Sequence, residues 1–586
     1  MHVLATAGHV DHGKSTLVRA LTGMEPDRLA EERRRGLTID LGFAWTELDG
    51  EVLAFVDVPG HERFVPNMLA GAGPVAAAMF VVAADEGWQA QSGEHLAALD
   101  AFGVRHGLLV VTKADRADPA PVLASARERL AATTLGDVPA VAVSGRTGEG
   151  LPVLRQELLA LVRRLPAPAR TAEVRLWADR AFTVRGAGTV VTGTLGAGTL
   201  RAGDELLLAG TGERVVVRGL QSLGEAREEV AAVARVAVNL RGVDRDRVRR
   251  GDALVTPGAW ENTREIDVRL RGDKAADLHR QLVLHVGAAA VPCRVRPLGT
   301  DTARLALASP LPLRAGDTGL LRDPGEHRVP AGAEVLDPAP PPLRRRGAAT
   351  ARAHELGRGD LAAAHVRRHG AVPLARLRAL GWEPAGVTVG EWAVDADLLA
   401  ALPARAAEAV ESFTAADPLA AGMPADALRR ALGVPAALLP AALEGTGLTV
   451  HDGLVLRPER EGSLPESVGR AVAALLRSLA EEPFRAPEAG DLAALGLGPK
   501  ELAAAERAGR LLRLTETIVL APDALRHAER VLGGLAEPFT VSEARRALGT
   551  TRRVAVPLLE RLDAEGVTAR DADGARRLRV PRGRPQ

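Results

Sequence analysis

The chain has 586 residues, 46% hydrophobic and 25% charged, with 75 basic residues against 74 acidic ones and a formal net charge of +1. That size and composition fit a globular chain of several domains, each able to bury its own core. A lone cysteine excludes an intrachain disulfide framework, the lack of a long apolar run excludes a membrane-spanning helix, and the balanced charge makes any nucleic-acid surface a local one.

The first predicted element is a buried strand, Val3-Leu4-Ala5-Thr6-Ala7. Gly8-His9-Val10-Asp11-His12-Gly13-Lys14-Ser15 follows, matching the phosphate-cradling pattern GxxxxGK[ST], and a helical pattern opens at Thr16. In that strand–loop–helix setting, glycines admit phosphate to the backbone, and successive N–H groups with the helix N-terminus hold it. Val10, Asp11, His12, Gly13, Lys14, Ser15 and Thr16 are the expected triphosphate-binding residues. Lys14 would reach the outer phosphates, neutralising charge as it develops, and the Ser15 hydroxyl would bind Mg²⁺. Lysine occurs only at Lys14, Lys113, Lys274 and Lys500. The first two fall in nucleotide motifs, where an ammonium and a guanidinium are not interchangeable.

Switch elements come next. Arg35-Gly36-Leu37-Thr38-Ile39-Asp40 offers Thr38 as a threonine that closes on Mg²⁺ only with triphosphate. The run Arg33-Arg34-Arg35 reads as a solvated loop face rather than a catalytic finger. A strand over Val52–Val56 leads into Asp57-Val58-Pro59-Gly60. Asp57 would approach Mg²⁺ through water, and the Gly60 N–H would sense the γ-phosphate. His61 stands where such hydrolases position water. Position in the motif favours that role over a merely solvated histidine.

A further apolar strand, Gly107–Val111, ends in Thr112-Lys113-Ala114-Asp115, where open α/β sheets bind ligands. An ionised carboxylate only accepts hydrogen bonds, so Asp115 suits guanine, which presents N1–H and N2–H₂ side by side. Ser144 and Gly145, after the strand Val141–Val143, would close over the base. Thr112 stands where the usual guanine motif has asparagine, and a threonine bridges neighbouring loops less extensively. GTP and GDP are the expected ligands, with Mg²⁺.

The predicted domains follow from changes in pattern. Residues 1–168 form a doubly wound α/β GTPase domain ending in Pro166-Ala167-Pro168. Short β-rich runs with turn glycines fill 169–258 and again 259–340, each fitting a β-barrel. Cys293 falls on one of these runs as a buried residue. Asp337-Pro338-Ala339-Pro340-Pro341-Pro342, then Arg344-Arg345-Arg346, marks the sharpest boundary. Beyond it Ala-Leu-Gly ends a helical pattern four times, at Gly381, Gly433, Gly496 and Gly549. Helix–turn–helix followed by short extended runs predicts an array of four winged-helix (α+β) units, 341–402, 403–460, 461–523 and 524–586.

The last unit is basic, with eleven arginines against six acidic residues from Val541 onward. Arg552 and Arg553 open its second helix, and Arg576 and Arg577 fall on the expected wing. Forked donors there would meet RNA phosphates or a splayed base, the alternative being a solvated face. A fragment from about Arg526 contains the whole unit and is a candidate for binding alone.

Gly8–Thr16, Asp57–Phe64, Ala90-Gln91-Ser92-Gly93-Glu94-His95 and Phe182–Gly193 together resemble the elongation factor Tu branch of translational GTPases. Thr112–Asp115, Asp179-Arg180-Ala181-Phe182 and the long extension resemble its bacterial selenocysteine-specific members, strongly to about Pro257 and more loosely beyond. The resemblance implies a monomeric, cytoplasmic GTPase carrying selenocysteinyl-tRNA to the ribosome, tethered to an mRNA hairpin after a recoded UGA codon. It also implies a selenocysteinyl pocket of Asp179, Arg180 and Arg235. Two rivals remain: a carrier of ordinary aminoacyl-tRNA, which needs no winged-helix extension, and a DNA-binding regulator with a GTPase sensor, which needs no barrels.

Overall fold

The computed structural model describes residues 1–26, 38, 40–61, 64–73, 75–186, 188–458 and 462–579. The arginine run 33–35, with Gly36, Leu37 and Ile39, lies outside them. Chain contacts divide the protein into two units, Met1–Ala393 and Val394–Gln586. Among the described residues no helix is long and apolar enough to cross a membrane.

The first unit opens with β1 (His2–Ala7), α1 (Lys14–Thr22), β2 (Gly42–Leu48), β3 (Glu51–Asp57), α2 (Val65–Ala72) and β4 (Ala77–Ala83). Then come α3 (Ala90–Phe102), β5 (His106–Thr112), α4 (Ala120–Ala131), β6 (Ala140–Ala142) and α5 (Leu151–Arg164). The sheet order is β2-β3-β1-β4-β5-β6, with β2 alone antiparallel to its neighbour. A parallel sheet covered on both faces needs strands apolar on both sides, and β4 is buried throughout. Its Ala78, Phe80 and Val82 enter one core, while Ala77, Met79 and Val81 enter the other. This leaves the loops after β1, β3 and β5 together at the carboxyl edge, where the nucleotide motifs fall.

An eight-stranded antiparallel sheet follows, running from Arg175–Trp177 to Ala253–Val255. Its strand Ala234–Arg241 alternates buried and half-buried residues, as a strand with one face on a core must. Six antiparallel strands between Asn262 and Asp337 then close into a barrel. Cys293 is buried there on Ala289–Pro297, and burial pushes its thiol up to about 12.

The helix Ala348–Arg358 is fastened to this barrel by buried charge. Arg352 Nε donates to Asp267 Oδ2 at 2.7 Å and also pairs with Asp337, while Arg304 Nε donates to Asp267 Oδ1 at 2.7 Å. Ala315 N also donates to Leu380 O at 2.9 Å, below the first Ala-Leu-Gly turn. The first helix-and-strand module therefore belongs to the barrel's unit.

The boundary expected at 402/403 is misplaced. Those residues lie inside a 21-residue helix, Ala396–Ala416, which carries Pro403 in its interior. An alanine-rich run holds the helix through one lost N–H, so the proline marks no domain edge. In the second unit, short helices pair with small sheets: Met423–Pro424 with Thr449–His451 and Leu454–Leu456, then Leu512–Arg513 with Val519–Leu520, then Thr568–Arg570 with Arg576–Leu578. All four Ala-Leu-Gly glycines are left-handed, with φ of 80°, 69°, 71° and 59°, a backbone state that stops a helix with little cost only at glycine. Val468 to Leu562 share one hydrophobic core. The last module is thus packed with the one before it, and a cut near Arg526 would fall within the helix Ala524–Leu532.

Candidate functional site

The loop between β1 and α1 wraps back on itself. Gly8 has φ of 131°, and a Cβ there would fall 2.1 Å from Val81 O, so only glycine lets the loop turn against β4. Lys14 is buried, and its ammonium donates to Gly8 O at 2.9 Å and His9 O at 2.7 Å. A Cβ on Gly60 would fall 2.5 Å from Lys14 Nζ and from Val10 N. The glycine expected to sense the γ-phosphate therefore sits directly on the Gly8–Ser15 loop.

Three oxygens gather beside Lys14. Ser15 Oγ donates to Asp57 Oδ2 at 2.6 Å and lies 3.0 Å from Thr38 Oγ1. Asp57 Oδ1 accepts from Thr6 Oγ1 at 2.7 Å, which fixes the carboxylate from behind. Oxygen donors from three segments, converging beside a phosphate loop, fit a hard divalent cation such as Mg²⁺. His61 is partly exposed, with its ring centroid 5.9 Å from that of Phe64, and it lies within electrostatic reach of His9.

At the base end, Thr112 Oγ1 donates to His12 O at 2.7 Å. This threonine does bridge two loops, through one bond. Lys113 pairs with Glu86 and, at 3.1 Å, with Asp85. Asp115 is exposed, and its hydrogen bond with Ser144 holds it below the usual carboxylate range, so it is an ionised acceptor. Ser144 Oγ accepts from Thr147 N at 3.1 Å, folding the loop through Gly145 beside Asp115.

Histidine packing behind the loop was not legible in the sequence. Gly8 N donates to His95 Nδ1 at 3.1 Å, and burial lowers the His95 ring to about 3 and the His12 ring to about 4. Both are neutral at physiological pH, so His95 keeps an acceptor for the loop. His95 was visible only as part of a motif, because helical periodicity does not distinguish a core histidine from one aimed at a neighbouring loop.

A second cluster forms where the eight-stranded sheet meets β2. Asp179 is bidentate with Arg235, one arm at 2.7 Å, and accepts from Thr192 Oγ1 at 2.8 Å. Arg180 pairs with Asp40 at 2.8 Å and donates to Leu41 O at 2.8 Å. The Arg235 guanidinium lies 3.9 Å from the centroid of Phe43, and that of Arg180 lies 5.7 Å from it. Arg180, Arg235, Thr192 and Phe43 edge a cavity of about 290 Å³ that Trp45, Phe182 and Gly224 also line. Asp179, Arg180 and Arg235 are brought together, but each guanidinium already faces a carboxylate.

The C-terminal arginines divide. Arg552, Arg553 and Arg577 are exposed, and Arg553 Nη2 donates to Pro487 O at 3.0 Å. Arg576 is a correction to the expected RNA-facing set. It is buried, and its Nε donates to Asp563 Oδ2 at 2.9 Å. Period-2 alternation in the strand Arg576–Leu578 turns one of two adjacent arginines inward.

Family models match four stretches of the chain. They are the elongation factor Tu GTP binding domain over 1–166, elongation factor Tu domain 2 over 188–255, the selenocysteine-specific elongation factor β-barrel domain over 263–342, and the elongation factor SelB winged helix over 530–577. The chain is 41% identical to the selenocysteine-specific elongation factor of Escherichia coli (strain K12), across 59% of this chain and 56% of that one. It is 37% identical to that of Desulfomicrobium baculatum, across 62% and 63%. These matches span about three-fifths of each relative's length. Elongation factor Tu 2 of Streptomyces avermitilis is 37% identical over 46% of this chain and 75% of its own. A crystal structure of a bacterial selenocysteine-specific elongation factor superposes with a TM-score of 0.77 and 26% identity, covering 99% of this chain and 100% of that one.

Proposed function

Since the chain belongs to the elongation factor Tu family of translational GTPases, in its selenocysteine-specific branch, we propose that it carries selenocysteinyl-tRNA to the ribosome at recoded UGA codons. One observation carries this reading. Asp179, Arg180 and Arg235 converge on the β2 edge of the GTPase domain, against the residues that follow Thr38. A selenol is more acidic than a thiol or hydroxyl and is largely anionic at neutral pH, so guanidiniums at that edge favour it over serine or cysteine.

The nucleotide chemistry follows from the first cluster. Lys14 and the N–H groups of Val10 to Thr16 hold the phosphates, while Asp115, with Thr112, Lys113, Ser144 and Gly145 around it, reads guanine. Ser15, Thr38 and Asp57 would hold Mg²⁺, which when bound offsets charge on the β- and γ-phosphates. The Gly60 N–H orients the γ-phosphate, and His61 places the attacking water. Hydrolysis waits for the ribosome to bring His61 into line.

The C-terminal region is read as four winged-helix units, the first fused to the barrel and ending near Ala393. Arg552, Arg553 and Arg577 would meet the mRNA hairpin. The protein would act as a cytoplasmic monomer. To test the reading, the full chain with a non-hydrolysable GTP analogue is titrated with selenocysteinyl-, cysteinyl- and seryl-tRNA of the same body. Preference for the selenocysteinyl form is expected. Equal affinities would favour an ordinary aminoacyl-tRNA carrier.

A further inference from the structure

The two pocket arginines are held in different ways. Arg235 has its carboxylate partner in its own domain, with its side chain 13% exposed and that of Asp179 5% exposed, and it also lies 3.9 Å from the Phe43 centroid. Arg180 is held from another domain, and its pair with Asp40 is about one-third exposed on both sides. Both polar contacts of Arg180 with the GTPase domain, to Asp40 and to Leu41 O, use Nη2. Among the described residues, neither Nε nor Nη1 makes a hydrogen bond, and Arg180 lines the cavity. Asp40 is two residues from Thr38, which lies 3.0 Å from the Ser15 hydroxyl. The side chain that orients Arg180 thus sits on the segment that the nucleotide site holds.

We propose that Asp40 is a positioning residue that couples nucleotide state to recognition of the aminoacyl group through Arg180. With Thr38 held at the nucleotide, Asp40 and Leu41 O fix Nη2 and aim the remaining donors at an anionic side chain on the tRNA's aminoacyl end. When Thr38 is released, Arg180 loses that orientation while Arg235 keeps its own, so discrimination weakens in the diphosphate form. By linkage, an anionic guest on Arg180 favours the Thr38-closed arrangement to the same extent. The inference rests on the selenocysteinyl-tRNA reading above and names the residue through which that site is regulated.

The test is a double-mutant cycle in the full chain with Asp40→Asn, Arg180→Ala and both together, each checked for folding by thermal unfolding. Affinities for selenocysteinyl-, seryl- and uncharged tRNA are measured with a GTP analogue and with GDP. Asp40→Asn should lower the selenocysteinyl-to-seryl ratio about fivefold in the GTP-analogue form, as expected for a partly exposed ion pair. It should leave uncharged tRNA and the GDP form unchanged. Arg180→Ala should lower the ratio at least as much, and the double variant should match Arg180→Ala alone. Independent, multiplying effects would overturn the proposal, as would an equal loss for all three tRNAs, which marks a purely structural role. A ratio unmoved by Arg180→Ala would instead remove the pocket reading on which the proposal stands.

Discussion

The phosphate loop and the last winged module both rely on buried cations, yet they deploy them in opposite ways. Lys14 is held by the carbonyls of Gly8 and His9 at the mouth of a loop, next to oxygens of Ser15, Thr38 and Asp57. Arg576 is held by Asp563, whose other oxygen accepts from Thr568 Oγ1 at 2.5 Å. The first arrangement aims a charge at a ligand site, while the second ties a wing to the helix beneath it. A buried cation is therefore read by what surrounds it, and its neighbours in sequence do not say which kind it is.

Four measurements sharpen that contrast or break it. The largest effect is expected for Lys14→Ala, which should lower ribosome-stimulated GTP hydrolysis on the order of 10²–10³-fold, the scale of one lost charge-stabilising donor. Near-normal single-turnover rates would show that Lys14 is structural, like Arg576. Asp115→Asn should weaken GTP by roughly 10–100-fold, as for a lost charge-assisted hydrogen bond, and improve xanthosine triphosphate. Xanthine has a carbonyl where guanine has an amino group, so an amide donor replaces the carboxylate acceptor. Unchanged GTP affinity would mean that Asp115 does not read the base.

Arg576→Ala should destabilise the C-terminal unit by about 2 kcal/mol, less than a fully buried broken pair because Asp563 retains some solvent. The unfolding transition of that unit should fall, while Arg577→Ala next to it should leave stability unchanged. Equal shifts for the two would erase the distinction between inward and outward arginines. Arg552→Ala should have the smallest effect, weakening hairpin binding several-fold and flattening the log–log salt dependence by roughly one unit, as for one phosphate contact. Arg553→Ala should add some loss of stability through its bond to Pro487 O. Titration against hairpin RNA, unstructured RNA and duplex DNA checks the class. Equal affinity for all three would leave a nonspecific basic patch and strengthen the DNA-regulator alternative. The fragment for this titration must begin before Glu466, because residues 468 to 562 share one core.

Local sequence determined what depends on a short stretch of backbone. The run from Gly8 to Ser15 between a strand and a helix, the aspartate and glycine at positions 57 and 60, and the left-handed Ala-Leu-Gly stops could all be read because each needs a few residue types at fixed spacing. The tertiary structure alone decided what depends on segments far apart in the chain. It placed His95 under Gly8, Asp40 and Phe43 beside arginines about 140 and 190 positions away, and Arg352 on Asp267 and Asp337. It also moved a domain edge from 402/403 to 393/394, because a helix can continue through one proline when its neighbours favour it. Arg576 and Arg577 show the limit most simply. Both look alike in a basic run, and only the packed wing, where successive side chains face opposite sides, turned one of them inward to Asp563 and left the other in solvent.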